Sequence, residues 1–308
     1  MKSETLVCLV GPTATGKTAL SLSLAEQVGN LEVISADSMA VYKYLDIGTA
    51  KPSVIERGKV PHHLVDFLDP SKKWSAFDFQ RAVHRHIKEI QNRKGIPLVV
   101  GGTGFYLETL YRPFPMFSAP PDERFRKLLA KYSNSKLYAI LRIIDPHRAK
   151  SIDNHNRPRM VRAIEIYFQT GKIPSFFDRK KISQASKHIL FLGITMEKEK
   201  IVQRIYERVD DMFDRGLVEE VEHLLQRGYN VDIPAFKNFT YSPVVEYIQG
   251  KRTLTDARNK IIHGTLKYLK RQNTWYRKQP INWFRVDENN IEGLSNYLAE
   301  KYFQKEAS

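Results

Sequence analysis

The sequence predicts an α/β fold: a doubly wound parallel sheet built around a phosphate-binding loop (P-loop), with a mainly helical insertion. Three observations predict it. GPTATGKT (11–18) directly follows a short apolar run. Strand-like and helix-like segments alternate through the first third of the chain. A Pro-rich stretch then opens a basic helical segment, after which a strand pattern returns.

The elements follow in order. LVCLV (6–10) is short, apolar and bounded by glycine, as a buried parallel strand is. TALSLSLAEQVG places Ala19, Leu20, Leu22, Leu24, Ala25 and Val28 at spacings that suit a helix ending at Gly29. LEVISAD (31–37) is a second strand. It puts Asp37 at its C-terminal end, where open α/β sheets gather ligand-binding groups. FDFQRAVHRHIKEIQNRKG (77–95) predicts a helix closed by Gly95, and IPLVVGGTG (96–104) a third strand running into a second glycine turn. FPMFSAPPDERF (114–125) marks a boundary, and the pattern beyond it is helical and basic through Tyr167. KHILFLGITM (187–196) reads as a strand returning to the sheet. Residues 1–117 and 187–308 are therefore assigned to the core with C-terminal helices, and 118–186 to the insertion. The apolar positions of 201–228, from Ile201 through Leu225, follow helical spacing for core packing, with a break at Gly216. A final basic helix spans 257–278.

The chain has 308 residues, 42% of them hydrophobic, enough for one large domain with an insertion or for two modest domains. The one cysteine, Cys8, excludes an intramolecular disulfide and fits a reducing compartment. No apolar run approaches a membrane span or a signal peptide, so a soluble, cytoplasmic protein with no membrane partner is expected. The net charge of +15 is concentrated: 118–187 carries 16 Lys/Arg against 6 Asp/Glu, and 251–280 carries 9 against 1. Such an excess fits either a polyanion footprint or a basic solvated surface on an ordinary enzyme.

Gly11, Pro12, Thr13, Ala14, Thr15, Gly16, Lys17 and Thr18 carry the clearest chemistry. Glycines let the backbone turn so that successive N–H groups face oxygen anions, Lys17 adds a point charge, and the Thr18 hydroxyl is a ligand for Mg²⁺. The strand before and the helix after supply the context the motif needs. The loop does not count phosphates: it would hold a diphosphate as well as a triphosphate. His62 and His63 lack a partner cluster at ligand spacing, so a structural or hydrogen-bonding role is expected for them.

ISADSMAVYKYLDIGTAKP (34–52), PHHLVD (61–66), GGTGFY (101–106), RPRMVRAIEIYFQTGK (157–172) and LKRQNTWYRK (269–278) together resemble the tRNA dimethylallyltransferases, the tRNA isopentenyltransferase family, in its bacterial form. The resemblance runs in order over nearly the whole chain. It implies that the loop holds the diphosphate of dimethylallyl diphosphate. It also implies transfer of the five-carbon group to N6 of the adenosine 3′-adjacent to the anticodon, position 37 of the tRNA, with release of diphosphate. Asp37 then occupies the general-base position. Lys17, Mg²⁺ near Thr18, and Arg162 would stabilise the leaving diphosphate, the competing role for Arg162 being an ion pair with Glu165. Asp37, Ser38, Met39 and Ala40 match the segment that meets the flipped base. Thr103, Arg126, and Pro158, Arg159, Met160, Val161 and Arg162 match further tRNA-contact positions. The basic insertion would hold phosphates of the anticodon stem and loop, and a monomer is expected. Trp275, Tyr276 and Tyr268 suit base stacking or, as aromatics at helical spacing, the core.

The resemblance fails at one stretch. Members usually carry Ala-Ile-Gly-Tyr-Lys-Glu where this chain has Asn238, Phe239, Thr240, Tyr241, Ser242 and Pro243. Only the tyrosine persists, so the RNA contacts expected there are altered. Two other activities fit the loop: a P-loop small-molecule kinase, and a prenyl transferase acting on free adenine nucleotide. A non-catalytic RNA-binding protein is a third alternative, which the intact Lys17, Thr18 and Asp37 oppose.

Overall fold

The strands come from short runs of aliphatic and β-branched residues. In a computed structural model that describes residues 5–111, 119–175, 189–287 and 290–303, they are β1 (Leu6–Val10), β2 (Leu31–Ser35), β3 (His62–His63), β4 (Ile96–Gly101), β5 (Ile189–Thr195) and β6 (Ile281–Arg285). They form one sheet in the order β3-β2-β4-β1-β5-β6, with every pairing parallel. The chain leaves β1 toward β2 on one side and β4 toward β5 on the other. The winding direction therefore reverses between β1 and β4, where an open α/β sheet has its ligand crevice. Their C-terminal ends carry GPTATGKT and GGTG.

Helices α1 (Lys17–Val28), α2 (Val54–Lys59), α3 (Ala76–Asn92) and α4 (Gly104–Tyr111) precede the insertion, which contributes α5 (Glu123–Ala130), α6 (Asn134–Ile144), α7 (Pro146–Ser151) and α8 (Arg157–Thr170). After it come α9 (Lys198–Asp214), α10 (Leu217–Gln226), α11 (Tyr241–Ile248), α12 (Leu254–Tyr276) and α13 (Ile291–Tyr302). One sheet face buries Val7, Leu9 and Val33 against Leu20 and Leu24 of α1 and Leu298 of α13. The other buries Cys8, Ile34 and Val99 against Phe79 of α3 and Leu107 of α4. A third core joins α9 to α12 around Phe236 and Tyr241.

The α/β class, the parallel sheet and the helical spans match the sequence expectation, and the differences have local causes. Helix α3 starts after Ser75, which exchanges capping bonds with Asp78, and it stops at Asn92 rather than at Gly95. Lys94 takes the left-handed turn (φ 62°), and Gly95 is needed because a Cβ there would lie 2.9 Å from Ile90 Cγ2. Strands β3 and β6 and helix α13 lacked a readable signal. Helices α9 and α10 break at Gly216, which is left-handed (φ 91°). Residues 114–118 of the Pro-rich stretch, and Lys187 and His188 of the expected returning strand, lie outside the described residues.

The chain divides into two compact units, Met1–Tyr111 with Lys187–Ser308, and Arg112–Ser186. The second has its own core of Leu137, Leu141, Met160 and Ile164. Arg157 holds its helices together by donating to the carbonyls of Leu129, Ala130 and Tyr132 and to Asn134 Oδ1 at 2.8–3.1 Å. Three of these acceptors close the C-terminal end of α5, where carbonyls lack intrahelical donors. Arg157→Ala should therefore destabilise the insertion by about 1–3 kcal/mol, read as lost hydrogen-exchange protection over Glu123–Ala130. Arg159→Ala, on the exposed face, should leave that protection unchanged.

Candidate active site

The GPTATGKT loop is open to an anion. Ala14 (φ 64°) and Gly16 (φ 87°) are both left-handed, which turns consecutive N–H groups to one side. Helix α1 starts after Gly16 with no side-chain cap. Among the described residues, the N–H groups of Ala14, Thr15, Gly16, Lys17 and Thr18 meet no protein acceptor. Thr15 Oγ1 is buried and donates to Pro12 O at 2.8 Å, stiffening the turn from inside. Lys17 Nζ donates back to Gly11 O (2.9 Å) and Pro12 O (2.6 Å).

Helix α12 fixes the loop from outside. Tyr268, Gln272 and Tyr276 stand four residues apart and so share one helix face. Tyr276 Oη donates to Gly11 O at 2.7 Å and accepts from Gly11 N–H at 3.2 Å. Gln272 accepts from Thr13 N–H and donates to Gly102 O, both at 3.0 Å. A Cβ on Gly102 would overlap the Gln272 amide, which explains the glycine in GGTG. Tyr268 Oη lies 3.2 Å from Thr103 Oγ1.

These groups enclose a crevice of about 300 Å³. The loop, Ser35, Asp37, Thr49, Arg208, Tyr268 and Gln272 all line it. Asp37 lies just past β2. Its Oδ1 accepts from Met39 N–H (2.7 Å) and Ala40 N–H (3.2 Å). Its Oδ2 has no hydrogen bond among the described residues. The carboxylate is thus both a loop cap and an open acceptor on the crevice wall.

Arg208 is the residue that sequence reasoning missed. It sits on α9 between Ile205 and Val209 of the buried stripe, where an arginine is out of place in a core reading. Its guanidinium makes only long contacts, 3.4 Å to Thr13 Oγ1 and 3.5 Å to Thr49 O. Burial lowers the Lys17 pKa to about 7, with the Arg208 charge adding to the effect and Asp37 opposing it. Burial likewise lowers that of Arg208, and Asp37 again opposes. The Tyr268 hydroxyl is pushed up to about 12, by burial and then by Asp37, so it stays protonated. Two half-buried cations against one carboxylate make the crevice a site for an anion.

The remaining expected residues fall into two groups. Ser38, Met39 and Ala40 follow Asp37, but Ala40 is buried and Met39 packs toward the α9–α12 core. Thr103 caps α4, accepting from Tyr106 and Leu107 N–H. Trp275 and Tyr276 pack in the core beneath the sheet. Within the insertion, Arg126 and Arg162 converge on the buried Glu165, Arg126 through two bonds (2.8 and 2.9 Å) and Arg162 at 2.6 Å. Arg162 also donates to Ala119 O. Burial would raise the Glu165 pKa, but the two arginines outweigh it and hold it below the usual range. Met160 is fully buried and Val161 packs beside it, so the Met160 side chain cannot meet an RNA. Pro158 and Arg159 are exposed. Of the two histidines, His63 bonds Glu32 (2.7 Å), which also takes Arg93, and His62 bonds Val60 O. Both roles are structural.

An oxygen donor of the kind Mg²⁺ takes stands at the loop, the Thr18 hydroxyl. No cluster of three His, Cys, Asp or Glu able to hold a metal occurs among the described residues. The donor set therefore fits an ion shared with a bound phosphate group.

Comparison with known proteins agrees with this geometry. A family model described as IPP transferase matches residues 40–279. The tRNA dimethylallyltransferase of Carboxydothermus hydrogenoformans is 42% identical over 302 residues, covering 96% of each chain. That of Anoxybacillus flavithermus is 39% identical over 289 residues, covering 94% of this chain and 92% of its own. Among solved structures, the tRNA isopentenylpyrophosphate transferase of Bacillus halodurans aligns with a TM-score of 0.70 at 36% identity, covering 97% of this chain and 96% of its own. A eukaryotic dimethylallyltransferase acting on tRNA aligns with a TM-score of 0.82 at 29% identity, over 96% of this chain and 77% of its own. With the loop, the carboxylate and the fold in agreement over this length, the chain belongs to the IPP transferase family, among the tRNA dimethylallyltransferases.

Proposed function

We infer that the protein transfers the dimethylallyl group of dimethylallyl diphosphate to N6 of the tRNA adenosine 3′-adjacent to the anticodon. The observation that carries this reading is the open Asp37 oxygen on the wall of the same crevice as the phosphate loop. The loop N–H groups, Lys17 and Arg208 bind the donor diphosphate. The N6 amine attacks the C1 carbon of the prenyl group, the N–C bond forms, and the C–O bond to diphosphate breaks. Asp37 Oδ2 takes the N6 proton, and the diphosphate leaves with the bonding pair. The Met39 and Ala40 N–H groups keep the carboxylate from turning away. Mg²⁺ held at Thr18 would, when bound, neutralise charge that grows on the leaving group.

In this reading Arg208, not Arg162, serves the diphosphate from within the core unit. Arg162 spends its donors on Glu165 and Ala119. The exposed Arg159 and the basic insertion bind RNA phosphates, and the target base reaches the crevice by leaving its stack. No described helix is long and apolar enough to cross a membrane. The single buried cysteine suits a cytoplasmic enzyme, acting as a monomer. A kinase reading is not favoured by the relatives.

Asp37→Asn keeps the Oδ1 acceptor and removes the base. Single-turnover transfer to unmodified tRNA should fall about 10²–10⁴-fold, with RNA affinity unchanged. Near-wild-type turnover would remove Asp37 from the base role.

The donor step should also depend on pH. Lys17 is a cation below its pKa of about 7 and neutral above it. The kcat/KM for dimethylallyl diphosphate, which reports the free enzyme, should therefore decline as pH rises through about 7. Arg208→Gln removes a like charge, so it should move this decline to higher pH while raising the donor KM. A profile flat from pH 6 to 9 would contradict the assignment of Lys17.

A further inference from the structure

A second cavity, of about 690 Å³, lies between α3 and the segment that follows β3. It borders the crevice, since His62 and Val65 line both. Nothing in the prenyl transfer step uses it.

Its walls combine flat apolar surfaces with donors. Phe67 and Trp74 meet edge to face at 5.3 Å, and Phe67 is 41% exposed. Among the described residues the buried Trp74 indole N–H meets no acceptor, a cost that a native site ordinarily offsets with a partner. Arg81 and Arg85 stand one turn apart on α3. Arg81 rests over the Phe77 ring, and Arg85 makes two long contacts, 3.5 Å to His86 Nε2 and 3.7 Å to Glu89. The His63 and His86 rings, both lining the cavity, meet tilted by 32° with centroids 4.7 Å apart. The one acid lining the cavity, Asp78, turns its Oδ2 to the Ser75 cap. Guanidinium donors beside aromatic faces select an anion attached to a flat ring, which is the chemistry of a nucleotide.

We propose that this cavity holds a second nucleotide of the RNA substrate, a neighbour of the base in the crevice. Its base lies against Phe67 and Trp74, and its phosphate on Arg81 and Arg85. The shared wall at His62 and Val65 favours a nucleotide of the same strand over a free one. The proposal rests on the RNA reading above and extends it to residues outside the insertion.

The test uses the full chain and an unmodified anticodon stem–loop RNA. Wild type, Arg81→Gln/Arg85→Gln and Trp74→Phe are compared. The double variant should raise KM for the RNA about tenfold and make the salt dependence of binding shallower by about 1 in log–log slope. The loss should fall on KM for RNA and not on kcat or on the donor KM. RNA should quench tryptophan fluorescence in the wild type, and Trp74→Phe should abolish the quench. Unchanged RNA KM and salt slope would overturn the proposal. So would a quench produced by free AMP or UMP but not by the RNA. Prenyl transfer by the wild type is measured alongside: if the wild type modifies no RNA, the functional reading fails, whereas if it does and the variants match it, only this site fails.

Discussion

The arrangement depends on one helix face reaching the phosphate loop. Tyr276 bridges the N–H and the carbonyl of Gly11, and Gln272 ties Thr13 to Gly102. These residues lie about 260 positions from the loop in sequence. The bonds join the two glycine turns at the point where the sheet reverses its winding. A phosphate cradle must hold its N–H groups in place before the ligand arrives, because reorganisation at binding would cost affinity. Buried side chains with two bonds each provide that stiffness. The helix that supplies them also bears Lys267, Lys270 and Arg271 on its exposed side. The donor loop and a basic surface thus belong to one rigid element.

The electrostatics of the crevice follow from burial. Lys17 and Arg208 are half-buried cations that face one carboxylate, whose Oδ1 is already committed to the Met39 and Ala40 N–H groups. Lys17 turns back to the Gly11 and Pro12 carbonyls. A diphosphate would replace those carbonyls, restore the Lys17 proton at higher pH and neutralise Arg208. The buried acid of the insertion shows the opposite case. Glu165 is fully inside, and its two arginines satisfy it internally. Those arginines build the insertion, whereas Arg159 lies exposed on its surface.

The sheet, the loop and the long helices were legible because their signals are local. Alternation of strand and helix periods, glycine turns and a sharp charge shift each occupy a few adjacent residues. Residues whose role depends on distant partners were not legible. Arg208 was hidden by the apolar period around it, although an arginine on that stripe was a signal to be weighed. Glu165 read as a helix-surface partner, because its burial depends on the packing of α5 and α6. His63 gained meaning only when the sheet brought Glu32 and Arg93 beside it. Strand β3 is two residues long, too short for any period to show. In the divergent stretch, Tyr241 is buried and bonds Glu220 at 2.6 Å, which in turn accepts from the N–H groups of Asp46, Ile47 and Gly48. The one residue kept there supports the segment leading to Thr49 at the crevice, and its changed neighbour Asn238 accepts from the Thr240 and Tyr241 N–H groups at 2.8 and 3.0 Å.

The most direct test of the central claim, that the loop serves a prenyl diphosphate, is a paired transfer assay. Unmodified tRNA is incubated with Mg²⁺ and either dimethylallyl diphosphate labelled in its prenyl carbons or ATP labelled in its γ-phosphate. The account predicts prenyl label in the RNA and none from ATP. ATP turnover without prenyl label on any tRNA would contradict it, and would return the loop to phosphoryl transfer.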